Sequence, residues 1–313
     1  MRNGPLQNTG PFVKLVFSAF IVISVFLATL LGGLLLAIPL FGLGFIELFE
    51  SLSNIAHPRY LDLLRYFQVV QSIGLFVIPP FILAWFFGGS ILGYLNMDRG
   101  ISRRAAILTV LVMLSAIPLI NLLAWFNAQL SLPEALSGLE EWMKTTEETA
   151  ENLIKSFLRV DTVTGLFVNL VMIAVIPAVG EELLFRGVIQ RLFSEWTRSH
   201  HLGIWIAAII FSAMHLQFYG FLPRTVLGAL FGYLLVWSGT MWVPVLAHFV
   251  NNAAAVFVYY FIYKNQLSEE IETIGAGEGD WIYALASVLV FTVFIGIFYS
   301  KEKRQSPTLY RRG

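Results

Sequence analysis

The chain has 313 residues and no net charge, and it is 57% hydrophobic but only 13% charged. Soluble domains are about 25% charged, so most of this chain is expected to lie in lipid. The balanced charge argues against a nucleic-acid partner. Because the sequence contains no cysteine, disulfides, thiolate metal sites and a cysteine nucleophile are excluded.

Long uncharged apolar stretches recur along the sequence, and a helix needs about 20 residues to cross the hydrocarbon core. The first stretch is longer than the apolar part of a signal peptide, about 7 to 15 residues, so we interpret it as a retained helix. The pattern predicts an all-α polytopic membrane helix bundle of about eight transmembrane helices. The predicted spans are Leu15 to Ile46, Phe67 to Leu95, Ala105 to Phe126, Val163 to Phe185, Gly203 to Gln217, Phe221 to Trp237, Met241 to Tyr263 and Trp281 to Tyr299.

The charged connections predict the orientation, because Lys and Arg concentrate in short cytoplasmic connections. Basic residues cluster at both termini and after the second and fourth spans, which predicts that both termini are cytoplasmic. Two acidic connections fall on the opposite side. The basic residues are Arg2, Lys14, Arg99, Arg103, Arg104, Arg191, Arg198, Lys301, Lys303, Arg304, Arg311 and Arg312. The acidic residues are Glu134, Glu140, Glu141, Glu147, Glu148, Glu151, Glu269, Glu270, Glu272, Glu278 and Asp280. Three arginines would lie on the acidic side and are exceptions to the bias, namely Arg59, Arg65 and Arg224.

The first acidic connection also carries apolar residues at helical spacing, namely Leu153, Ile154, Phe157 and Leu158. This spacing is typical of an amphipathic helix at the membrane surface. We interpret it as a solvated cap without a chemical role.

Two adjacent glutamates lie inside the fourth span, where an ionisable side chain is costly unless it is paired or faces water. Four-residue spacing puts Glu182 and Arg186 on one helix face, where they can neutralise each other. Glu181 lies about 100 degrees round the helix and is left without that partner. A carboxyl in such a setting suits a general acid or base. The structural alternative is an ion-pair network that only locks helices together.

Polar residues recur in two later spans. His215 is the one ionisable side chain of its predicted span, and such a histidine can simply be a hydrogen-bonded packing residue. Four-residue spacing places His248 and Asn252 on one face of another span, where they offer two donors in one direction. At about 1.5 Å per residue, Glu181, His215 and His248 can share a cavity, which we expect to face the cytoplasm.

In order and in helix placement, these residues resemble the motifs of the CAAX-protease and bacteriocin-processing (Abi) family of intramembrane glutamic endopeptidases. The sequence has E-E-x-x-x-R at Glu181, F-x-x-x-H ending at His215 and H-x-x-x-N starting at His248. The resemblance implies that Glu181 and His215 activate a water, that His248 and Asn252 form the oxyanion hole, and that Glu182 and Arg186 support them. It also implies three regions: N-terminal helices with the acidic loop (1–160), a protease-like core (161–265) and a last helix with a basic tail (266–313).

The resemblance also implies metal-free chemistry, and we expect no cofactor. Two histidines and a glutamate are nevertheless a donor set that suits zinc, so a divalent metal is the alternative. We expect peptide or membrane-protein substrates and the lipid bilayer as partners, and location in a bacterial inner (plasma) membrane. A proton-coupled transporter and a catalytically idle adaptor or immunity protein are the alternative functions.

Overall fold

A computed structural model describes residues 4–48, 60–276 and 279–303 of the chain. Arg2, Arg59, Glu278 and the tail arginines from Arg304 onward, all used above to predict orientation, lie outside these residues. The described part contains helices and no strand. The helices are α1 (Pro11–Phe41), α2 (Leu61–Gly88), α3 (Ile91–Tyr94), α4 (Arg103–Ala128), α5 (Ser137–Leu158), α6 (Val163–Thr197), α7 (His200–Ala213), α8 (Phe221–Ser238), α9 (Trp242–Tyr263) and α10 (Trp281–Glu302), with short 3-10 turns at Glu134–Leu136 and Glu269–Thr273.

The all-α polytopic bundle predicted from composition is confirmed. Within the described residues, seven helices are long and apolar enough to cross a membrane: α1, α2, α4, α6, α8, α9 and α10. The predicted span over Gly203 to Gln217 differs, since α7 has only 14 residues. At about 1.5 Å per residue it is too short for a hydrocarbon core of about 30 Å. Large apolar side chains stay exposed along α1 and α10, where lipid can cover them.

Helix α6 runs from Val163 to Thr197, beyond the predicted end of the fourth span at Phe185. Its central α-helical stretch, which carries both glutamates, lies between two π-helical segments, Leu170–Val175 and Phe185–Ile189. Such π segments absorb a break in the regular hydrogen bonding and are frequent at functional sites. Here the two π segments lie on either side of the stretch that carries the buried Glu181 and Glu182.

Helices α2 and α6 approach each other closely beside the two glutamates. A Cβ on Gly180 would lie only 2.9 Å from Cβ of Phe76, which belongs to a π-helical segment of α2. Only glycine allows the two backbones to meet at this distance. Glu181, the next residue, therefore enters the bundle interior beside α2.

Helices α7 and α8 form a hairpin whose tip lies inside the bundle. Asn127 at the end of α4 holds this tip, because Nδ2 donates to the carbonyl of Phe218 (2.8 Å) and Oδ1 accepts from the amide of Leu222 (2.9 Å). Glu147 of α5 accepts from the amide of Tyr219 at 2.7 Å. The amphipathic helix predicted for the acidic connection is therefore α5, and it packs over the hairpin tip.

Candidate active site

Glu182 and Arg186 form a fully buried ion pair on one face of α6. Nε of Arg186 lies 3.1 Å from Oε2 of Glu182, a contact without hydrogen-bond alignment, and both side chains are wholly inaccessible to solvent. Nη2 of Arg186 donates to the carbonyl of Gly228 in α8 at 3.0 Å. A pair this deep is strongly destabilised if one partner is removed, because the other is left as an uncompensated charge.

Three phenylalanine rings surround the guanidinium of Arg186. Its central carbon lies 4.7 Å from the ring centre of Phe211, 5.5 Å from that of Phe231 and 5.9 Å from that of Phe185. A cation is attracted to the faces of aromatic rings, and the attraction grows when water is excluded. The ring cage and Glu182 together hold this charge inside the bundle.

His248 lies between the two glutamates. Its Nδ1 is 2.9 Å from Oε1 of Glu182, and its Nε2 is 3.9 Å from Oε2 of Glu181. The ring stacks on Phe231, with 5.3 Å between the ring centres and 22° between the planes. The histidine on α9 and both carboxylates of α6 therefore form one cluster.

The contacts determine where protons can sit in this cluster. Glu182 already faces the permanent charge of Arg186, so it is ionised and Nδ1 of His248 donates to it. When one proton lies between Nε2 of His248 and the carboxyl of Glu181, two arrangements are open. Either a neutral histidine faces a protonated glutamate, or an imidazolium faces a carboxylate. Both forms have the same net charge, zero over the four groups.

His215 lies just past the end of α7, at the hairpin tip. Its Nδ1 lies 2.8 Å from the carbonyl oxygen of Phe211, and a carbonyl only accepts, so Nδ1 carries the hydrogen. Nε2 of the neutral ring is therefore left as an acceptor. The ring of Phe211 also packs edge-on against the His215 ring at 4.9 Å, so one residue orients both His215 and Arg186.

The side chain of Asn252 spans between α9 and α6. Its Nδ2 donates to the main-chain carbonyl of Ile173 at 3.0 Å, and its Oδ1 accepts from Nδ2 of Asn251 at 3.2 Å. Four residues after Ile173 stands Pro177, which has no N–H to donate to that carbonyl. Asn252 thus supplies a hydrogen bond that the proline cannot, and its second amide hydrogen stays available.

A cavity of about 660 Å³ joins these residues. Glu181, His215, His248 and Asn252 all line it, whereas Glu182 and Arg186 lie behind its wall. The structure therefore brings together the four residues predicted as catalytic, and the two residues predicted to support them do not line the cavity. The rest of the wall is mainly apolar, and includes Phe76, Pro177, Phe211, Leu227 and Phe231.

The cavity lies toward α5, in the half of the bundle that holds the acidic connection. Ala150, Leu153, Ile154 and Phe157 of α5 contribute to its wall, and Lys and Arg of the basic connections do not. The expectation that the site faces the basic connections is therefore wrong, whereas the side of the membrane on which those connections lie stays a prediction. Helix α7 starts on that basic side, and His215 lies just past its far end.

Two further cavity residues were missed as site candidates in the sequence. Phe231 stacks on His248 and belongs to none of the motifs. Arg224 also lines the cavity, and its guanidinium donates to Gln217 through the main-chain carbonyl (3.2 Å) and the side-chain Oε1 (2.8 Å). Its violation of the charge bias was the available signal. Arg65, the other described exception, instead pairs with Asp62 (3.0 Å).

Three or more His, Asp or Glu side chains do not converge on a metal-binding geometry anywhere in the described ranges. Some polar atoms of the site are engaged in other contacts: both oxygens of Glu182 face Arg186 and His248, and Nδ1 of His215 bonds a carbonyl. Whether the chemistry is metal-free remains a prediction.

Fold and site together define an integral membrane protein with a glutamate–histidine centre inside a helix bundle. Residues 163–254 match the family model described as type II CAAX prenyl endopeptidase Rce1-like. This segment contains all three motifs, and the match confirms the resemblance to CAAX proteases seen in the sequence.

Two relatives from Bacillus subtilis (strain 168) match a similar length of chain. "Uncharacterized protein YpbD" is 29% identical over 111 residues, which cover 34% of this chain and 54% of that protein. "Putative membrane peptidase YdiL" is 24% identical over 110 residues, covering 35% of this chain and 45% of that protein. The chain thus spans about half the length of the curated relatives it matches. No solved structure matches the chain.

Proposed function

We propose that this protein is an intramembrane endopeptidase that hydrolyses a peptide bond in a membrane-associated protein or peptide. The observation that supports the proposal best is the convergence of Glu181, His215, His248 and Asn252 on one cavity. They come from three separate parts of the chain. Polar and ionisable side chains that line a mainly apolar cavity are costly in a membrane, so a function that needs these four is the simplest reason for their presence.

In the proposed reaction, the carboxylate of Glu181 takes a proton from a water molecule, helped by Nε2 of His215 as hydrogen-bond acceptor. The resulting hydroxide attacks the carbonyl carbon of the peptide, and the carbonyl oxygen becomes an oxyanion. The proton held by Glu181 then passes to the departing nitrogen as the C–N bond breaks. The products are a carboxylic acid and an amine, and Glu181 is again ionised.

The oxyanion needs donors, and two are at hand. Asn252 has a second amide hydrogen beyond its bond to Ile173. His248 can donate from Nε2 when the shared proton resides on the ring, which is also the state in which Glu181 is a carboxylate and able to act as base. Donors aimed at a developing oxyanion are often the largest catalytic contribution. Glu182 and Arg186 act as positioning residues, because they fix Nδ1 of His248.

The wider assignment follows from the same site. We propose residues 161–265 as the protease core, flanked by regions 1–160 and 266–313. The bacterial origin of both relatives supports a bacterial plasma membrane as the location. Peptide or membrane-protein substrates and the surrounding lipid are the proposed partners.

The test is cleavage by purified protein in detergent. Wild type, Glu181→Gln and the control Glu148→Gln, which alters an exposed carboxylate of α5, are incubated with a peptide library with and without a chelator, and products are identified by mass spectrometry. We expect cleavage by wild type and control, no cleavage by Glu181→Gln, and no effect of chelator. Loss of activity with chelator would instead support the zinc alternative.

Other outcomes would overturn the proposal. Equal cleavage by all three proteins would place the reaction elsewhere. No cleavage by any, together with a phenotype in cells that Glu181→Gln leaves intact, would support an idle adaptor. Activity that appears only in sealed vesicles with a proton gradient would support a transporter.

A further inference from the structure

Arg224 is the charged cavity residue that the proposed reaction does not use. It lies in the first turn of α8, at the hairpin tip, and lines the same cavity as Glu181. Its two hydrogen bonds go to Gln217, and neither acceptor carries a charge. Among the described residues, no carboxylate lies within ion-pair distance of its guanidinium, although Glu147 and Glu181 act on it through space.

Both carboxylates have closer partners than Arg224. Glu147 accepts from the main-chain amide of Tyr219, and Glu181 faces His248. Among the described residues, Arg224 therefore has no carboxylate in direct contact although it lines a mainly apolar cavity, and an anionic ligand group that contacts it would be favoured there.

The hairpin tip holds the guanidinium in a defined position. Gly220 lies directly beneath it, and a Cβ on that residue would come within 2.5 Å of Nη2 of Arg224. Gln217 fixes the other side through Nη1 and Nη2. A guanidinium has more N–H groups than these two bonds use, and its planar fork matches a carboxylate.

We propose that Arg224, held by Gln217 over Gly220, is a subsite that binds a carboxylate of the peptide substrate. This inference rests on the proposed function and adds a substrate preference to it. The carboxylate can be the free C-terminus of the substrate or the side chain of an Asp or Glu. In both cases the subsite sets which peptide bond lies at Glu181, because both residues line one cavity.

The alternative is that Arg224 only pins the hairpin turn through Gln217. The two roles differ in what they predict for substrate choice. An arginine that only stabilises the turn affects all substrates equally, whereas a carboxylate subsite distinguishes peptides that have a carboxylate from those that lack one. The measurement must therefore compare substrates, and must include binding as well as cleavage.

The experiment uses a randomised fluorescent peptide pool without Asp or Glu in three forms: free C-terminus, C-terminal amide, and C-terminal amide with one internal Glu. Binding is measured by fluorescence anisotropy on the Glu181→Gln protein, with and without Arg224→Gln, and cleavage on wild type and Arg224→Gln. The control is Arg65→Gln, an arginine on the same side of the bundle that does not line the cavity.

We expect the free-C-terminus pool to bind about tenfold more tightly than the amide pool, and to show a KM lower by a similar factor. Arg224→Gln should abolish this difference, and Arg65→Gln should keep it. If the internal Glu restores tight binding to the amide, the subsite takes side chains as well as chain ends. If it does not, the chain end is the ligand.

The outcomes separate this inference from the proposed function. Cleavage that depends on Glu181 but shows no Arg224-dependent preference for a carboxylate overturns the subsite and leaves the protease. Binding that prefers carboxylates through Arg224, without cleavage by wild type, keeps the subsite and overturns the protease. If Arg224→Gln weakens all three pools equally, Arg224 is a pin of the hairpin turn.

Discussion

Asn252 donates a hydrogen bond from Nδ2 to the main-chain carbonyl of Ile173, 3.0 Å away. Ile173 precedes Pro177 by four residues, so the α-helical donor for this carbonyl is missing. An unpaired carbonyl inside a membrane bundle is costly, and Asn252 satisfies it. The residue proposed as an oxyanion donor therefore also has a structural role, and the two roles can be separated.

The first prediction separates them with a second substitution. Asn252→Ala should lower stability by about 1 kcal/mol, because the carbonyl of Ile173 loses its donor. Pro177→Ala supplies a main-chain N–H four residues after Ile173 and should restore most of that loss in the double variant. Thermal unfolding in detergent gives the stabilities, and kcat is measured on the same four proteins.

If Asn252 also binds the oxyanion, the double variant should recover stability but remain about 100-fold slower than wild type, the scale of one lost oxyanion donor. Recovery of both quantities would mean that Asn252 serves the helix alone. Pro177→Ala by itself is the control, and should retain activity.

The second prediction contrasts the two adjacent glutamates. Glu182→Gln leaves the buried guanidinium of Arg186 without a counter-ion, which should cost about 3 to 5 kcal/mol. Glu181→Gln removes a carboxylate that has only His248 at 3.9 Å, so its thermal midpoint should equal or exceed that of wild type while activity falls at least about 100-fold. If Glu181→Gln instead lowers the thermal midpoint, the structural role assigned here to Glu182 belongs to Glu181.

Helical periodicity accounts for the part of the site that lies on one helix. The spacing of Glu182 and Arg186 predicted their contact, and it left Glu181 without that partner. Contacts between helices did not follow from spacing: His248 meets Glu182 because α9 packs on α6, and Phe231 meets His248 because α8 packs beside both. A single sequence carries no register between helices, so those partners could not be predicted.

The end of the bundle toward which the cavity lies was misjudged for a related reason. Distances along a helix place residues in depth but do not say which end of the bundle is open. Helix α7 was also taken as a full span, because its apolar residues look the same in a hairpin that turns inside the bundle. Arg224 was consequently treated only as an exception to the charge bias, whereas it lies at the hairpin tip and lines the cavity.

The third prediction concerns the cage of rings around Arg186. Arg186→Lys keeps the charge but loses the planar group that bonds Gly228 and packs on Phe211 and Phe231. Arginine and lysine are not equivalent at stacked sites, and the change should cost about 2 kcal/mol or more. Arg103→Lys, at an exposed position, is the control and should leave unfolding unchanged. Equal unfolding of both variants would show that charge alone is required.

The fourth prediction concerns which side of the membrane the cavity faces. The cavity lies toward α5, and the basic connections assign the side of α5 to the cell exterior. Because the chain has no cysteine, Glu148→Cys on α5 and Arg104→Cys on the basic side each carry a single thiol, and both positions are exposed. A membrane-impermeant maleimide applied to intact cells should label Glu148→Cys at once and Arg104→Cys only after permeabilisation. The reverse labelling pattern would mean that the bundle has the opposite orientation in the membrane, with the termini outside and the cavity accessible from the cytoplasm.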